Sequence, residues 1–470
     1  MSFLEACFSK KSFKLLFLFI GLSYVLLAFY KLFFLGNFTW DTGAHAQAIA
    51  NLAHNGVYYD NFNDSHPLSN HFRPILLLFV PFMKLAPIAT WLLLAKIASF
   101  MAVSLVLLRF GRVLNLKGIY LYAMPMFWLV NDVLINTQRA ENQGSGMSLV
   151  FIALAFYYAY QSRWRYMLLN LGALLLFKEN LTIIWACVGL FLIVEKKDYK
   201  RGLSLIGAGV VLLIILLKFI MPAFSVEDIY FHTGKFTPFE FIDLKITMVL
   251  KVLLGLGFIP LLYPRSLIYS LPPVGMLFLT NITAAFWLRN HHHDFTYTVL
   301  FVACLFSIKK LQEGETWLNK YSPKLRRNLA VFSVLVFSLI ALTKLPHTTL
   351  FEKNIDELKE IYSVRQALLS LKKELPKQER VMVSNRLGTV FLDHVNVQDL
   401  YAFSRFDFSS NFHYVFPKPL EVQGFLSKKR RVEMFDQLEA AKNNPDLPGE
   451  IRLELYQDKI YHISFKRYDT

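Results

Sequence analysis

The chain is 470 residues long, 55% hydrophobic, with 44 phenylalanines and a mean hydropathy of +0.39, which is more apolar side chain than a soluble domain can bury. A soluble enzyme is thereby excluded and a polytopic membrane protein is expected. The formal net charge of +16 does not signal nucleic acid, because Lys and Arg sit mostly in short loops between apolar runs, the pattern of cytoplasmic loop bias.

Lys10, Lys11 and Lys14 precede "LLFLFIGLSYVLLAFYKLFFLG", long enough to cross roughly 30 Å of hydrocarbon and followed by no small-residue cleavage site. It reads as a retained first helix, near 12–35, starting on the cytoplasmic side. Further spans are expected near 90–108, 118–135, 145–160, 164–177, 180–194, 203–222, 246–262, 266–288, 295–308 and 329–345, about eleven in all with a range of roughly nine to thirteen. The segment "HFRPILLLFVPFMKLAP" (71–87) is too short and proline-rich for a straight span and is expected to be re-entrant or interfacial, shielded by protein. With it left out, Arg109, Arg112, Lys117, Arg163, Arg165, Lys196, Lys197, Lys200, Arg201, Lys309, Lys310, Lys320, Lys324, Arg326 and Arg327 all fall inside, and the opposite loops are nearly free of Lys and Arg.

The same parity puts residues 346–470 outside the cytoplasm as a small α/β domain behind a membrane domain of residues 1–345. "NIDELKEIYSVRQALLSLKKEL" has helical spacing at Ile355, Leu358, Ile361, Leu368 and Leu371; "ERVMVS" reads as a strand, "RLGTVFLDH" as a short helix, "VNVQDLYAF" as a strand, and "IRLELYQDKIYHISF" as a hairpin turning at Gln457 and Asp458. Of the cysteines Cys7, Cys187 and Cys304, none lies in this part, so it is held by packing without disulfides. It lacks a phosphate-cradling glycine loop, a metal cluster and a nucleophile constellation, and is expected to bind, orient or cover something rather than catalyse.

Polar groups interrupt the membrane part on that same outer side: Asp41 and His45 after the first span, within a first loop of residues 36–72; His66, Asn70 and His71 in that loop; Arg139, Glu141, Asn142 and Gln143; Lys178, Glu179 and Asn180; His232; then Arg289, His291, His292, His293 and Asp294. Ionisable groups beside hydrocarbon are costly to keep and therefore point to function. Each also has a structural reading. Asp41 can cap the helix "TGAHAQAIANLA", His45 can be a packed side chain, "RAENQ" an interfacial loop and "FKEN" a tight hairpin. "NHHHD" has metal-ligand chemistry, but three adjacent histidines cannot all face one ion.

Four short patterns carry a resemblance. Asp41, Thr42, Gly43 and Gln47 stand where an "Asp-Leu-Gly … Gln" motif follows a first span; His71, Phe72, Arg73, Pro74 and Pro81 stand for "His-Phe-Ser-Pro" with a second proline; Lys178, Glu179 and Asn180 stand for "Lys-Glu-Asp"; and Glu141 matches a Glu after the third span. With them the chain resembles, over nearly its whole length, a bacterial family of membrane proteins of unknown function related to the GT-C glycosyltransferases, multispan enzymes that use lipid-linked sugars. Two departures matter: an acidic residue often found before the Gln is Ala46, and the Asp of "Lys-Glu-Asp" is Asn180. Losing two carboxylates weakens a divalent-metal site, so no essential metal is expected, although a divalent ion is compatible with some GT-C enzymes.

The resemblance implies a GT-C-like fold and transfer of a sugar from a polyprenyl-phosphate donor to an extracytoplasmic hydroxyl or amine acceptor. That chemistry needs a base at the acceptor and cations on the leaving phosphate. Asp41 is the expected base. Arg139, Lys178 and Arg289 are the expected phosphate ligands, with His45, Gln47, His71, His291, His292 and His293 orienting substrate and Glu141 and Glu179 holding the cations. Residues 74–87 would line a lipid-tail groove. The expected partners are membrane lipid, the polyprenyl-phosphate sugar, and a protein or glycan acceptor at the C-terminal domain; the expected home is a bacterial inner membrane. The alternatives are a non-catalytic scaffold or assembly subunit that kept the fold, and a secondary transporter, for which neither broken midplane helices nor an internal repeat is visible.

Overall fold

The computed structural model describes residues 8–33, 42–62, 65–139, 144–224, 239–279, 293–316, 355–376, 379–383, 390–391, 396–399, 411–417, 436–445, 447–457 and 459–468. In chain order its helices are α1 (Lys10–Phe33), α2 (Ala44–Asn55), α3 (Ile88–Val113), α4 (Ile119–Val130), α5 (Asp132–Arg139), α6 (Ser145–Tyr160), α7 (Trp164–Leu174), α8 (Ile183–Phe191), α9 (Tyr199–Ile215), α10 (Ile242–Gly255), α11 (Leu271–Leu279), α12 (Asp294–Glu313) and α13 (Ile355–Glu374). The chain divides into two units, one of residues Met1–Leu27, Leu68–Ile75 and Leu93–Leu350, the other of Ala28–Pro67, Leu76–Leu92 and Phe351–Thr470.

Among the described residues three helical stretches are long and apolar enough to cross a membrane, Lys10–Phe33, Ile88–Val113 and Tyr199–Phe224; Ile119–Val130 and Ser145–Tyr160 are apolar but shorter. Several expected spans are broken, each for a local reason. The stretch 118–135 divides because Asn131 takes an extended conformation (φ −67, ψ 127). Its Oδ1 then accepts from the backbone N–H of Val133 (3.2 Å) and Leu134 (3.3 Å), starting α5 as an N-cap, and its Nδ2 donates to the Gly255 carbonyl at 2.8 Å. Residues 256–270 leave the α-helix at left-handed Gly257 and Phe258 and continue as 3-10 turns Ile259–Leu262 and Pro264–Ser270, since Pro260 and Pro264 withhold backbone donors. The expected span 329–345 lies outside the described residues.

In the first unit α12 is the central helix: every residue from Asp294 to Ile308 is buried, as a helix apolar on all faces requires. Aromatic rings surround it. Trp128 packs on Phe301 with centroids 5.1 Å apart and on Phe100 at 5.5 Å, while its indole N–H donates to the Phe100 carbonyl; Phe306 meets Phe110, Tyr160 and Phe191. Helices α8 and α9 approach to backbone contact, since a Cβ added to Gly189 would lie 2.5 Å from the Gly202 carbonyl oxygen and one added to Gly202 2.7 Å from that of Gly189, the small-residue packing expected between helices in lipid.

The second unit joins the first-loop helix to the C-terminal sheet. Five strands, β1 (Arg380–Val383), β2 (Asn396–Asp399), β3 (Phe412–Pro417), β4 (Gly449–Tyr456) and β5 (Ile460–Arg467), form a mixed sheet in the order β2-β1-β3-β5-β4. β1 runs parallel to β2 and β3, whereas β5 is antiparallel to β3 and β4. One face, with Val381, Val383, Val415 and Ile460, packs on Ile361, Val364, Leu368 and Leu371 of α13 and on Ala44 and Phe62 of the first loop. The other carries Met382, Phe412, Tyr414, Ile463 and Phe465 against Leu438. The expected α13, β1, β2 and β4–β5 hairpin are present, the last closing on the Tyr456–Ile460 pair with Gln457 left-handed (φ 49). β3 was not anticipated. The expected short helix in "RLGTVFLDH" falls almost wholly outside the described residues.

Residues Pro74–Lys84 form a 3-10 helix with Pro81 inside it. The expectation of shielding by protein fails there: only Leu76 is buried, and Leu78 and Leu85 are 63% and 73% exposed. Apolar side chains left outside the packed chain are tolerated where the surrounding solvent is hydrocarbon.

Candidate functional site

The site grows from the turn between α7 and α8. After Leu174 the chain tightens through i+3 hydrogen bonds at Leu175, Leu176 and Phe177, and then Lys178 extends fully (φ −170, ψ 142) before Glu179 opens the 3-10 turn Glu179–Thr182. The Leu176 carbonyl accepts from the Ile75 N–H at 3.0 Å, which lays residues 71–75 beside the turn. Glu179 then grips that segment with both oxygens: Oε1 lies 2.9 Å from His71 Nδ1 and Oε2 accepts the Phe72 N–H at 3.0 Å. A third loop closes in at Gly144, left-handed (φ 78), where an added Cβ would lie 3.3 Å from both Arg73 Cδ and the Phe177 carbonyl. Only glycine serves this position without strain.

Lys178 and Glu179 are each 8% exposed and Arg73 4%. Burial lifts the Glu179 carboxyl, but the hydrogen bond from His71, with the Lys178 and Arg73 charges, outweighs it and holds the group well below the usual carboxylate range. Burial, and then the Lys178 and Arg73 charges, hold the His71 imidazole well below its ordinary value against the pull of Glu179. The consistent state is a carboxylate, a neutral imidazole donating from Nδ1, and two cations in one buried cluster.

Behind it lies a second tier of buried polar groups. The Lys96 ammonium, 3% exposed on α3, donates to the carbonyls of Thr137 (2.7 Å) and Gln138 (3.2 Å) at the C-terminal end of α5, where a cation complements the helix dipole. The Ser145 hydroxyl, at the start of α6, donates to Asp294 Oδ2 at 2.8 Å, and Oδ1 accepts the Phe295 N–H at 2.6 Å. Asp294 lies within electrostatic reach of both Lys178 and Lys96. The connection "RAENQ" thus leaves one held end and enters another.

Of the residues singled out from the sequence, His71, Lys178 and Glu179 come together. His293 stands, fully buried, at the cap of α12. Arg139 ends α5, its side chain outside the described residues, and Asp41, Glu141, Arg289, His291 and His292 lie outside them altogether. His45 and Gln47 belong to the second unit on α2. There the Gln47 Oε1 accepts the Asn61 N–H at 2.8 Å, and Asn51, one turn on, donates to the Tyr59 carbonyl, so that both fix residues 59–61.

Sequence reasoning passed over Arg73, Lys96 and Ser145. Arg73 had a signal, standing where the related motif has Ser; Lys96 had one as the charge inside an expected span, which the membrane penalises unless used. Among the described residues no group of three or more His, Cys, Asp or Glu is arranged to hold a metal.

No curated protein matches the chain by sequence. Among solved structures it is similar to ArnT from Cupriavidus metallidurans, a structure bound to undecaprenyl phosphate, with a TM-score of 0.55, 11% identity, and coverage of 97% of this chain and 98% of that one. The likeness covers nearly all of both chains and gives this chain a GT-C fold. Residues 31–391 match the family described as predicted membrane protein (DUF2079), and the chain, a multi-pass membrane protein, belongs to that family.

Proposed function

We propose that the protein transfers a sugar from a polyprenyl-phosphate donor to a hydroxyl or amine acceptor on the outer side of a bacterial inner membrane. The observation that carries this reading is the buried cluster in which Arg73 and Lys178 flank Glu179 and a neutral His71. Buried cations within electrostatic reach of this site suit a phosphate whose negative charge grows as the glycosidic bond breaks. The fold shared with a protein bound to undecaprenyl phosphate supports the lipid class of the donor.

In the proposed reaction the acceptor oxygen or nitrogen attacks the anomeric carbon, its proton passing to Asp41, while the carbon–oxygen bond to the phosphate breaks and its electron pair leaves on the polyprenyl phosphate. Lys178 and Arg73 neutralise that leaving group, with Arg139 and Arg289 as the further cations the outer polar loops supply. Residues 346–470 are assigned to acceptor binding on the outer face. A second reading, a non-catalytic subunit that kept the fold, is favoured by Ala46 and Asn180, the two positions where related motifs carry acids.

The test compares wild type with Asp41→Asn, purified in detergent and matched by thermal melting, against a panel of radiolabelled polyprenyl-phosphate sugars. The enzyme reading expects both to bind a donor and only wild type to turn it over. Equal turnover removes Asp41 as the base; donor binding without turnover by either protein favours the subunit reading.

A further inference from the structure

Gln138 sits in the last turn of α5, 6% exposed, and among the described residues neither its Oε1 nor its Nε2 has a hydrogen-bond partner. Such an amide carries the desolvation penalty of a donor and an acceptor together, and a leucine of similar size would carry neither. The backbone beneath it is not loose. Asn131 caps the start of the same short helix, the Thr137 hydroxyl donates back to the Val133 and Leu134 carbonyls at 2.9 Å each, and Lys96 holds the carbonyls of Thr137 and Gln138. A polar head left unsatisfied on a backbone held from three sides is what a preorganised recognition group looks like. Lys96, which holds the Gln138 carbonyl, and Lys178 of the cluster both lie within electrostatic reach of Asp294.

We infer that Gln138 reads the headgroup of the lipid-linked donor, its amide hydrogen-bonding sugar hydroxyls. The inference rests on the proposed function and adds the residue that selects the headgroup. The chemistry decides which part of the donor is read: a phosphate oxygen only accepts and would satisfy Nε2 alone, whereas a hydroxyl both donates and accepts, so neighbouring hydroxyls on a sugar ring satisfy Oε1 and Nε2 together. Both atoms are covered in this structure, so engagement requires neighbouring side chains to part. Gln138 therefore contributes to binding sugar-bearing lipid and nothing to binding the bare lipid phosphate.

The experiment uses the full-length protein in detergent, wild type and Gln138→Leu, with undecaprenyl phosphate and a panel of radiolabelled undecaprenyl-phosphate sugars as probes, together with thermal melting. The expected result is threefold: the variant melts higher than wild type because an unsatisfied buried amide has gone, binds undecaprenyl phosphate as wild type does, and binds the preferred sugar-bearing lipid about tenfold or more weakly. A variant that melts lower or fails to fold shows the amide to be a structural group and overturns the inference. So does one that binds both lipids as wild type does, and that result leaves the proposed function standing. A wild type that binds neither lipid overturns the proposed function and this inference with it.

Discussion

Glu179 is the side chain on which the cluster depends, and replacing it with alanine isolates that dependence. The substitution removes an acceptor for His71 Nδ1 at 2.9 Å and for the Phe72 N–H at 3.0 Å, and takes the carboxylate from beside Lys178 and Arg73. Removing one partner from a buried charge cluster costs about 3–5 kcal/mol, and hydrogen bonds to a charged acceptor, at about 1.5–3 kcal/mol each, lead to the same range. Over 470 residues an unfolding entropy of about 2.1 cal/mol/K per residue amounts to roughly 1 kcal/mol per kelvin. Glu179→Ala should therefore melt about 3–5 °C lower in detergent, and Glu179→Gln, which keeps one acceptor oxygen, should fall in between. Circular dichroism on purified protein reads the shift. If Glu179→Ala melts with wild type, the carboxylate does not hold residues 71–73 against the 178–179 turn, and the site as described is wrong.

Three other outcomes follow from single residues. Burial, reinforced by the neighbouring His413 charge, lowers the His462 imidazole to about 4; the unfolded chain takes up that proton near 6.5 while the fold resists until about 4, so stability falls as pH drops through that window, by at most about 3 kcal/mol. Melting curves from pH 7.5 to 4 should show that acid limb flattened in His462→Phe, and an unchanged limb counts against it. Gly202→Val puts a Cβ 2.5 Å from Ile193 Cγ1 and 2.7 Å from the Gly189 carbonyl and should destabilise by at least about 1–3 kcal/mol, whereas the same change at Gly207, with nothing within 4 Å, should be mild; equal melting of the two would refute backbone contact between α8 and α9. Asn131→Ala loses a cap serving two N–H groups and should cost about 1–2 kcal/mol, detectable in the same assay.

The fold was legible wherever one signal dominated. Apolar runs located α1, α3, α6 and α12, and the helical spacing of Ile355, Leu358, Ile361, Leu368 and Leu371 located α13. It was less legible where one side chain overrides a run: nothing in "MPMFWLVNDVLINTQ" announces that Asn131 ends one helix by capping the next. β3 is a short stretch next to a proline, and its partners β1 and β5 are distant in sequence, so its pairing is a tertiary fact. For the site, His71, Lys178 and Glu179 were visible as charges in short turns, but they meet through contacts across about a hundred residues, the Ile75–Leu176 backbone bond and the Glu179 bonds to His71 and Phe72. Lys96 and Gln138 lie inside helical runs, and what sets them apart, the carbonyls that Lys96 binds and the burial of the Gln138 amide, is decided by tertiary packing.

The most direct measurement is equilibrium binding of undecaprenyl phosphate to wild type, Arg73→Gln and Lys178→Gln in detergent, each first matched by melting temperature. Wild type should bind saturably and each variant about tenfold or more weakly, because each lacks a charge-assisted bond to the phosphate. Equal affinity in all three proteins would contradict the assignment of the Arg73–Lys178 cluster to the lipid phosphate.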